Sequence, residues 1–338
     1  MPAVRRPSVV LAMSPAHPPR LFDDRLRERL RDLAEVDVDQ IIDDFTTDEA
    51  REALRTAEVL LTCWGCPPLD ADVMAATPAL EAVIHSAGSV KSLITPACWQ
   101  RGIAVSSAVS ANAVPVAEYT LAMILLAGKR ALPIQAAYRA DATRRDWAAV
   151  HPGLGNYRTT VGIVGASHVG RRVLELLRPF DIRVLLADPT IDVATAERLD
   201  VRLVGLDELV RSSDVVTIHA PDIPATRAMF DARRLAMMRS GATLINTARG
   251  RLVDTEALTA ELATGRIYAV LDVTDPEPLP PDSPLFAMPN VVLTPHIAGS
   301  LGREINRMGA LALDELERYA RGEGFAFPVL AERLPILA

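Results

Sequence analysis

The sequence predicts an α/β protein built on two parallel sheets with helices packed on their faces. Short apolar runs of strand length alternate with helix-length segments along nearly all of the 338 residues, and such alternation is typical of parallel sheets. A glycine-rich turn near residue 165 opens a second alternation, which forms a complete doubly wound unit by itself. A chain of this length can bury two cores, so we expect two domains.

The first alternation covers the N-terminal third of the chain. Apolar runs predict strands at 8–13, 58–62, 82–85 and 103–106, and an amphipathic segment predicts a helix at 20–34. A helix that is apolar nearly all round is expected at 114–127, and such a helix is usually buried. The polar stretch 139–158 contains proline and glycines and is expected to be irregular.

The second alternation is more regular. It predicts strands at 160–164, 182–187, 201–204, 215–219, 242–246, 267–272 and 291–293, and helices at 169–180, 206–211, 233–238 and 255–263. A final amphipathic helix is expected at 299–319, with a tail that returns to the N-terminal portion. The expected domains are therefore 1–112 with 298–338, and 113–297 inserted between them.

Composition excludes several classes of partner. The net charge is −7 and the basic residues occur singly or in pairs, which argues against nucleic acid and against an anionic membrane surface. The apolar stretch 121–128 is far shorter than a bilayer span, and the run 9–13 is too short for a signal peptide. We therefore expect a cytoplasmic protein.

The cysteines offer little chemistry. There are three, and Cys63 and Cys66 form a C-x-x-C pattern. A zinc site would need two further ligands nearby, and the two prolines that follow prevent a helix from starting there and lowering a thiol pKa. We interpret them as small apolar residues at a strand end, and we expect no metal.

A glycine-rich turn lies between the strand at 160–164 and the next helix. A Rossmann-type turn needs one glycine for a tight turn and another for helix–strand packing, and Gly165 and Gly170 occupy these places. Ser167 stands in the middle place, where its Cβ would crowd a phosphate although its hydroxyl could bind one. His168 could also contact phosphate, and the helix N-terminus supplies free N–H groups.

An acid follows at the expected distance. Asp188 ends the next strand, 18 residues beyond Gly170. A carboxylate there accepts hydrogen bonds from ribose hydroxyls and repels a 2′-phosphate, which favours NAD over NADP. The alternative is that Asp188 only caps a turn with Pro189.

Three polar groups follow three later strands. Arg249, Asp272 and His296 each come after an apolar run, so we expect them at the carboxyl edge of the sheet, where ligands bind. A guanidinium group can bind a carboxylate through two parallel hydrogen bonds, in bidentate geometry. The simpler interpretations are a surface arginine in a turn with Gly250 for Arg249 and a packing or surface residue for His296. For Glu277, five residues after Asp272, the simpler interpretation is a solvated loop acid.

Glu277 is the expected partner of His296. It lies in a loop with four nearby prolines, which would hold the carboxylate stiffly. A carboxylate next to an imidazole favours the imidazolium, so His296 could donate a proton near neutral pH. Together with Arg249, this set could bind a 2-oxo acid and protonate it.

These segments resemble the D-isomer-specific 2-hydroxyacid dehydrogenase family. The strongest likeness lies in 244–254, in 271–279 and in 290–299. The family's architecture implies a Rossmann domain inserted in a smaller, flavodoxin-like α/β substrate domain. It also implies an NAD-dependent oxidoreductase that acts on a small 2-oxo or D-2-hydroxy acid, usually as a homodimer.

The resemblance also implies site residues. Arg249, Glu277 and His296 would be catalytic, with Arg249 and His296 also binding substrate alongside the backbone of Ala87, Gly88 and Ser89. The cofactor would be held by Gly165, Ser167, His168, Val169, Gly170, Asp188, Ala220, Pro221, Thr226, Thr247, Ala248, Asp272 and Gly299. Asp272 would hold the nicotinamide carboxamide. Glu277 argues against the formate dehydrogenase branch, which carries glutamine there.

Two residues depart from the pattern of the family: Ser167 replaces a glycine, and Lys91 stands where many members carry an acid.

Two alternative functions are also considered. The alternatives are an NADP-dependent glyoxylate or hydroxypyruvate reductase, and a non-catalytic, NAD-sensing binding protein like the C-terminal-binding-protein corepressors. Asp188 argues against the first, and the intact Arg249, Glu277 and His296 argue against the second.

Overall fold

The computed structural model describes residues 5–142 and 145–334. Its strands are β1 (Val9–Ala12), β2 (Ile41–Ile42), β3 (Val59–Thr62), β4 (Ala82–His85), β5 (Ala104–Ser107), β6 (Thr160–Val164), β7 (Arg183–Ala187), β8 (Arg202–Leu203), β9 (Val215–Ile218), β10 (Thr243–Asn246), β11 (Tyr268–Leu271) and β12 (Val291–Leu293). Every pairing between these strands is parallel.

The helices alternate with the strands. They are α1 (Pro18–Leu21), α2 (Asp24–Leu33), α3 (Asp48–Leu54), α4 (Ala71–Ala76), α5 (Pro96–Gln100), α6 (Val109–Gly128), α7 (Ala131–Asp141), α8 (Trp147–Val150), α9 (His168–Leu177), α10 (Val193–Arg198), α11 (Leu206–Ser212), α12 (Ala232–Met237), α13 (Thr255–Ala263) and α14 (Ile305–Ala320). Short 3-10 helices span Gly250–Leu252, Pro284–Phe286 and Gly302–Glu304.

The chain divides into two compact units. The first contains residues 5–112 and 300–334, and the second contains the described residues of 113–299. The first has a five-stranded sheet in the order β2-β1-β3-β4-β5, and the second a seven-stranded sheet in the order β12-β11-β10-β9-β6-β7-β8. These are the flavodoxin-like and Rossmann orders, the latter with one added edge strand, so the predicted fold class is confirmed.

Each sheet is buried on both faces. In the first unit, Val9 and Leu11 of β1 pack with α2 and α14, whereas Val10 and Ala12 pack with α3 and α4 on the opposite face. The same alternation of successive strand residues divides the core of the second unit. Burial on both faces explains why the strands are continuous apolar runs.

Helix α6 is longer than the predicted apolar segment. By length and composition alone its 20 residues could cross a membrane, but a core helix has the same properties. Here Ala117 and Ile124 are buried in the core of the second unit. This packing covers part of the apolar surface of the helix, whereas Leu126 stays exposed.

The structure corrects three predicted elements. The helix expected at 20–34 is two helices, because the Asp23 side chain accepts a hydrogen bond from Leu26 N and starts α2. The stretch 139–158, which was expected to be irregular, contains the end of α7 and the whole of α8. The final helix begins at Ile305 and not at Gly299, because residues 296–298 are bonded to Asp272 and Ser300 to Asn112.

Candidate active site

The Arg249 turn is shaped by a buried asparagine. Asn246 ends β10, accepts a hydrogen bond from Ala248 N at 3.1 Å and donates one to Arg249 O at 2.9 Å. A Cβ on Gly250 would lie 2.0 Å from the backbone of Thr274, so only glycine allows this turn to approach the segment after β11. The half-buried Arg249 donates one hydrogen bond, to Ala248 O, which leaves guanidinium donors for a ligand.

The structure brings Glu277 and His296 together. His296 Nδ1 lies 2.6 Å from Glu277 Oε1, and the two side chains are 52% and 43% exposed. Because Nδ1 faces the carboxylate, Nε2 is the nitrogen that remains for a ligand. Arg249, Glu277 and His296 follow β10, β11 and β12, which are neighbours in the sheet, so all three lie at one carboxyl edge.

The Asp272 carboxylate accepts hydrogen bonds from the loop that carries His296. Asp272 is 2% exposed. Its Oδ1 accepts hydrogen bonds from Thr294 Oγ1 at 2.6 Å and Ile297 N at 2.8 Å, and its Oδ2 accepts one from Ala298 N at 2.9 Å. A carboxylate has about four acceptor sites, so one site on Oδ2 is left.

The glycine turn brings two backbone segments into contact. Gly165 has φ +97°, and a Cβ there would meet His219 O at 2.7 Å and Ala220 N at 2.8 Å. A Cβ on Gly170 would lie 2.1 Å from Gly165 O. Both positions therefore require glycine.

Ser167 has a local structural role that the sequence did not reveal. Its φ of −64° suits any residue, and its hydroxyl accepts a hydrogen bond from Gly170 N at 3.4 Å, so it is the N-cap of α9. Within the described chain, the backbone N–H groups of Ser167, His168 and Val169 donate no hydrogen bond. Three free donors at a helix N-terminus fit the pyrophosphate of a dinucleotide.

His168 is the first residue of α9 and is exposed at the helix N-terminus. Partial desolvation of its ring lowers its pKa, and the neighbouring Arg171 lowers it further. Both effects favour the neutral form of the imidazole.

Asp188 both caps a turn and supports the glycine turn. Its Oδ1 accepts hydrogen bonds from Thr190 N and Thr190 Oγ1, and its Oδ2 accepts one from Ala166 N at 2.7 Å. The turn-capping interpretation is therefore realised. One acceptor site on Oδ2 remains, so it is compatible with a ribose contact.

The remaining predicted cofactor residues lie on neighbouring loops of the second unit. The Thr226 hydroxyl donates to Pro221 O and accepts from Ile223 N, which closes the loop after the buried Ala220. Thr247 Oγ1 lies 3.2 Å from Thr120 Oγ1. Gly299 directly follows Ala298 and is the last described residue of the second unit.

The predicted substrate loop follows β4 in the first unit. Ala87 is buried, and its carbonyl accepts a hydrogen bond from Ala108 N. In the described residues, the N–H groups of Gly88, Ser89 and Val90 donate no hydrogen bond. Successive unpaired backbone N–H groups are suited to binding an anion.

The sequence patterns missed several residues that shape this site. Asn246 and Thr294 lie inside the recognisable motifs, but the pattern does not show that their side chains hold Arg249 and Asp272. Tyr119, whose hydroxyl lies 2.8 Å from Thr294 Oγ1, stands out in the sequence only as a polar residue in an apolar helix. That irregularity was the available signal.

The environment of the cysteines does not favour reactive thiolates. Burial raises the pKa of Cys63 to about 12 and raises that of Cys66 as well, so neither is a ready thiolate. Among the described residues, no group of three or more His, Cys, Asp or Glu side chains is arranged to hold a metal ion.

Comparison with known proteins gives consistent results. The family model for the D-isomer specific 2-hydroxyacid dehydrogenase, NAD binding domain, matches residues 121–298. The chain is 34% identical to a glyoxylate reductase from Thermofilum pendens over 285 residues, which are 82% of each protein. It is 31% identical to a D-3-phosphoglycerate dehydrogenase from Methanocaldococcus jannaschii over 307 residues, which are 90% of this chain and 57% of that protein.

The chain thus spans little more than half the length of the D-3-phosphoglycerate dehydrogenases that it matches. Among solved structures, it is similar to a phosphoglycerate oxidoreductase from Rhizobium etli, with a TM-score of 0.84 and 25% identity. That similarity covers 97% of this chain and 99% of the other.

Proposed function

The chain belongs to the family of D-isomer specific 2-hydroxyacid dehydrogenases, and on that premise we propose that it transfers hydride between NAD(H) and a 2-oxo acid, with a D-2-hydroxy acid as the reduced product. The observation that carries the proposal is the 2.6 Å contact between His296 Nδ1 and Glu277 Oε1, at the same sheet edge as Arg249. It provides a held acid/base beside a group that binds carboxylates.

The residues have distinct roles in the proposed reaction. NADH, when bound, supplies the hydride. Arg249 binds the 2-oxo acid and stabilises the negative charge that develops on the keto oxygen. Glu277 holds His296 through Nδ1, so that His296 Nε2 donates the proton to that oxygen in reduction and removes it in oxidation.

The cofactor is assigned to the second unit. The free N–H groups of Ser167, His168 and Val169 support pyrophosphate binding, and the remaining acceptor site of Asp188 supports a contact with ribose. The remaining hydrogen-bond acceptor site on Asp272 Oδ2 is proposed to bind the nicotinamide carboxamide. Gly165, Gly170, Ala220, Pro221, Thr226, Thr247, Ala248 and Gly299 complete the proposed surface.

The substrate carboxylate is assigned to the loop after β4 as well as to Arg249. The unpaired N–H groups at Gly88, Ser89 and Val90 support this assignment. The buried Ala87 lies at the start of this loop.

The test is reduction of a panel of 2-oxo acids with NADH. We expect Arg249→Ala and His296→Ala to lower kcat/KM by about 10²- to 10⁴-fold, with unchanged Kd for NADH. Arg251→Ala, an exposed arginine two residues away, should keep wild-type turnover. Wild-type turnover in either site variant would refute that residue's role, and an inactive wild-type protein would refute the activity.

The same assay separates the alternatives. A preference for NADPH would favour a glyoxylate or hydroxypyruvate reductase that uses NADP. Binding of NADH and of a peptide, without turnover of any 2-oxo acid, would favour a sensing protein like the corepressors.

We also propose a cytoplasmic homodimer that binds neither nucleic acid nor membrane. The net charge of −7 supports the absence of those partners. Helix α7 supports self-association, because none of its residues is buried although Leu132 and Tyr138 are apolar or aromatic and exposed.

A further inference from the structure

Three side chains connect helix α6 to the loop that carries His296. The Tyr119 hydroxyl lies 2.8 Å from Thr294 Oγ1, and Thr294 Oγ1 lies 2.6 Å from Asp272 Oδ1. Asp272 in turn accepts the backbone N–H groups of Ile297 and Ala298. We call Tyr119, Thr294 and Asp272 the hydroxyl relay.

The direction of the hydroxyl relay follows from donor counting. A carboxylate only accepts, so the single proton of Thr294 points to Asp272. Thr294 Oγ1 is then an acceptor towards α6, and Tyr119 must be the donor. Burial raises the pKa of Tyr119, the hydrogen bond with Thr294 lowers it and the negative charge of Asp272 raises it; the net shift is upward, so this hydroxyl stays protonated.

The loop needs this support because its backbone is unusual. His296 has φ +55°, a left-handed conformation that is costly for a residue with a side chain and persists only when the surroundings impose it. His296 N donates to Asp272 O at 2.9 Å, and the next two N–H groups bind the Asp272 carboxylate. Asp272 therefore holds the chain at Thr294, before His296, and at Ile297 and Ala298, after it.

We propose that Tyr119 is a positioning residue for His296, acting through Thr294 and Asp272. It touches neither substrate nor cofactor in this assignment. Its hydroxyl orients the Thr294 proton towards Asp272, which keeps the Asp272 carboxylate on the N–H groups of Ile297 and Ala298. The kinetic part of the inference rests on the proposed acid/base role of His296.

The first test is Tyr119→Phe, which removes only the hydroxyl. We expect kcat to fall about two- to tenfold, the usual effect of one lost hydrogen bond, with unchanged Kd for NADH and only a small fall in melting temperature. Tyr268→Phe is the matched control, because the Tyr268 ring packs under Arg130 and its hydroxyl makes no hydrogen bond in the described residues. That control should keep wild-type kcat.

The second test asks whether Tyr119 acts through Thr294. Thr294→Val should lower kcat about ten- to a hundredfold, since it removes a bond to a charged group, and Thr294→Ser should restore most of it. The double variant Tyr119→Phe/Thr294→Val should be no slower than Thr294→Val alone, because Tyr119 has already lost its acceptor. Additive losses would overturn the proposal.

The third test does not depend on turnover. Amide hydrogen exchange at Ile297 and Ala298 should be faster in Tyr119→Phe than in wild type and Tyr268→Phe. Unchanged exchange, or a Tyr119→Phe kcat equal to that of the control, would overturn the proposal. If wild type reduces no 2-oxo acid, the proposed function fails, but accelerated exchange would still show that Tyr119 holds the loop.

Discussion

Glu277 is the residue on which the proposed acid/base chemistry depends most directly. Glu277→Gln keeps the size of the side chain but removes the charge that holds an imidazolium. We expect kcat/KM to fall about 10- to 100-fold, because a hydrogen bond between charged groups is worth about 1.5–3 kcal/mol. The measurement is steady-state reduction at pH 7.

Asp282→Asn is the control for that variant. Asp282 is an exposed acid in the same proline-rich loop, so its replacement should leave kcat/KM unchanged. Equal losses in both variants would mean that loop charge, and not the contact with His296, governs the rate.

At the residue scale, we expect the Asp188 carboxylate to set the preference between NADH and NADPH. Wild type should prefer NADH over NADPH by at least about tenfold, a difference of 1.4 kcal/mol, because its carboxylate repels a 2′-phosphate. Asp188→Asn keeps an oxygen acceptor but loses the charge, so the ratio of kcat/KM for the two cofactors should fall. A ratio that stays the same would assign the discrimination to another residue.

At the scale of elements, the strand ends carry buried histidines that do not take part in the proposed chemistry. His85 ends β4 with Nδ1 2.9 Å from Thr62 Oγ1, and His219 follows β9 beside the glycine turn. Burial lowers the pKa of His85 to about 4 and that of His219 to about 3. Both are neutral at pH 7.

These histidines predict acid sensitivity. An unfolded histidine has a pKa near 6.5, so below pH 6.5 the unfolded chain binds protons that the folded chain does not. Their contribution to stability is complete above pH 6.5. It is lost as the pH falls towards 4 for His85 and 3 for His219, with a slope of up to about 1.4 kcal/mol per pH unit for each group.

Urea unfolding at pH 7, 6 and 5 measures this effect. The unfolding free energy should fall with pH in wild type and fall less steeply in His85→Leu, which removes one titrating group. Identical slopes in the two proteins would show that His85 does not contribute.

At the scale of the whole molecule, the proposed homodimer is tested by measuring its mass in solution. A homodimer would have twice the chain mass of 36.5 kDa in light scattering after gel filtration. Tyr138→Glu places a charge on α7, where Tyr138 is 54% exposed, and should yield the monomer mass without loss of secondary structure. A monomeric wild-type protein would contradict the dimer, and a dimeric variant would place the interface elsewhere.

Much of the architecture is readable from local patterns. Strands buried on both faces must be continuously apolar, and a tight strand-to-helix turn must contain glycine, so the two parallel sheets and the positions of Gly165 and Gly170 follow from the sequence. The break at Asp23 and helices α7 and α8 do not, because capping and weak amphipathicity leave faint signals. The start of α14 was missed because two distant side chains, Asp272 and Asn112, bind the segment before it.

The sequence alone was therefore enough to predict the fold class. It was also enough to predict that Arg249, Glu277 and His296 lie at the carboxyl edge of the sheet. Each of these depends on the spacing of residues along one segment. The roles of Tyr119 and Asp272 emerged only when segments far apart in the chain were placed side by side. Hydrogen-bond partners are set by that approach, and no periodicity along a single segment encodes it.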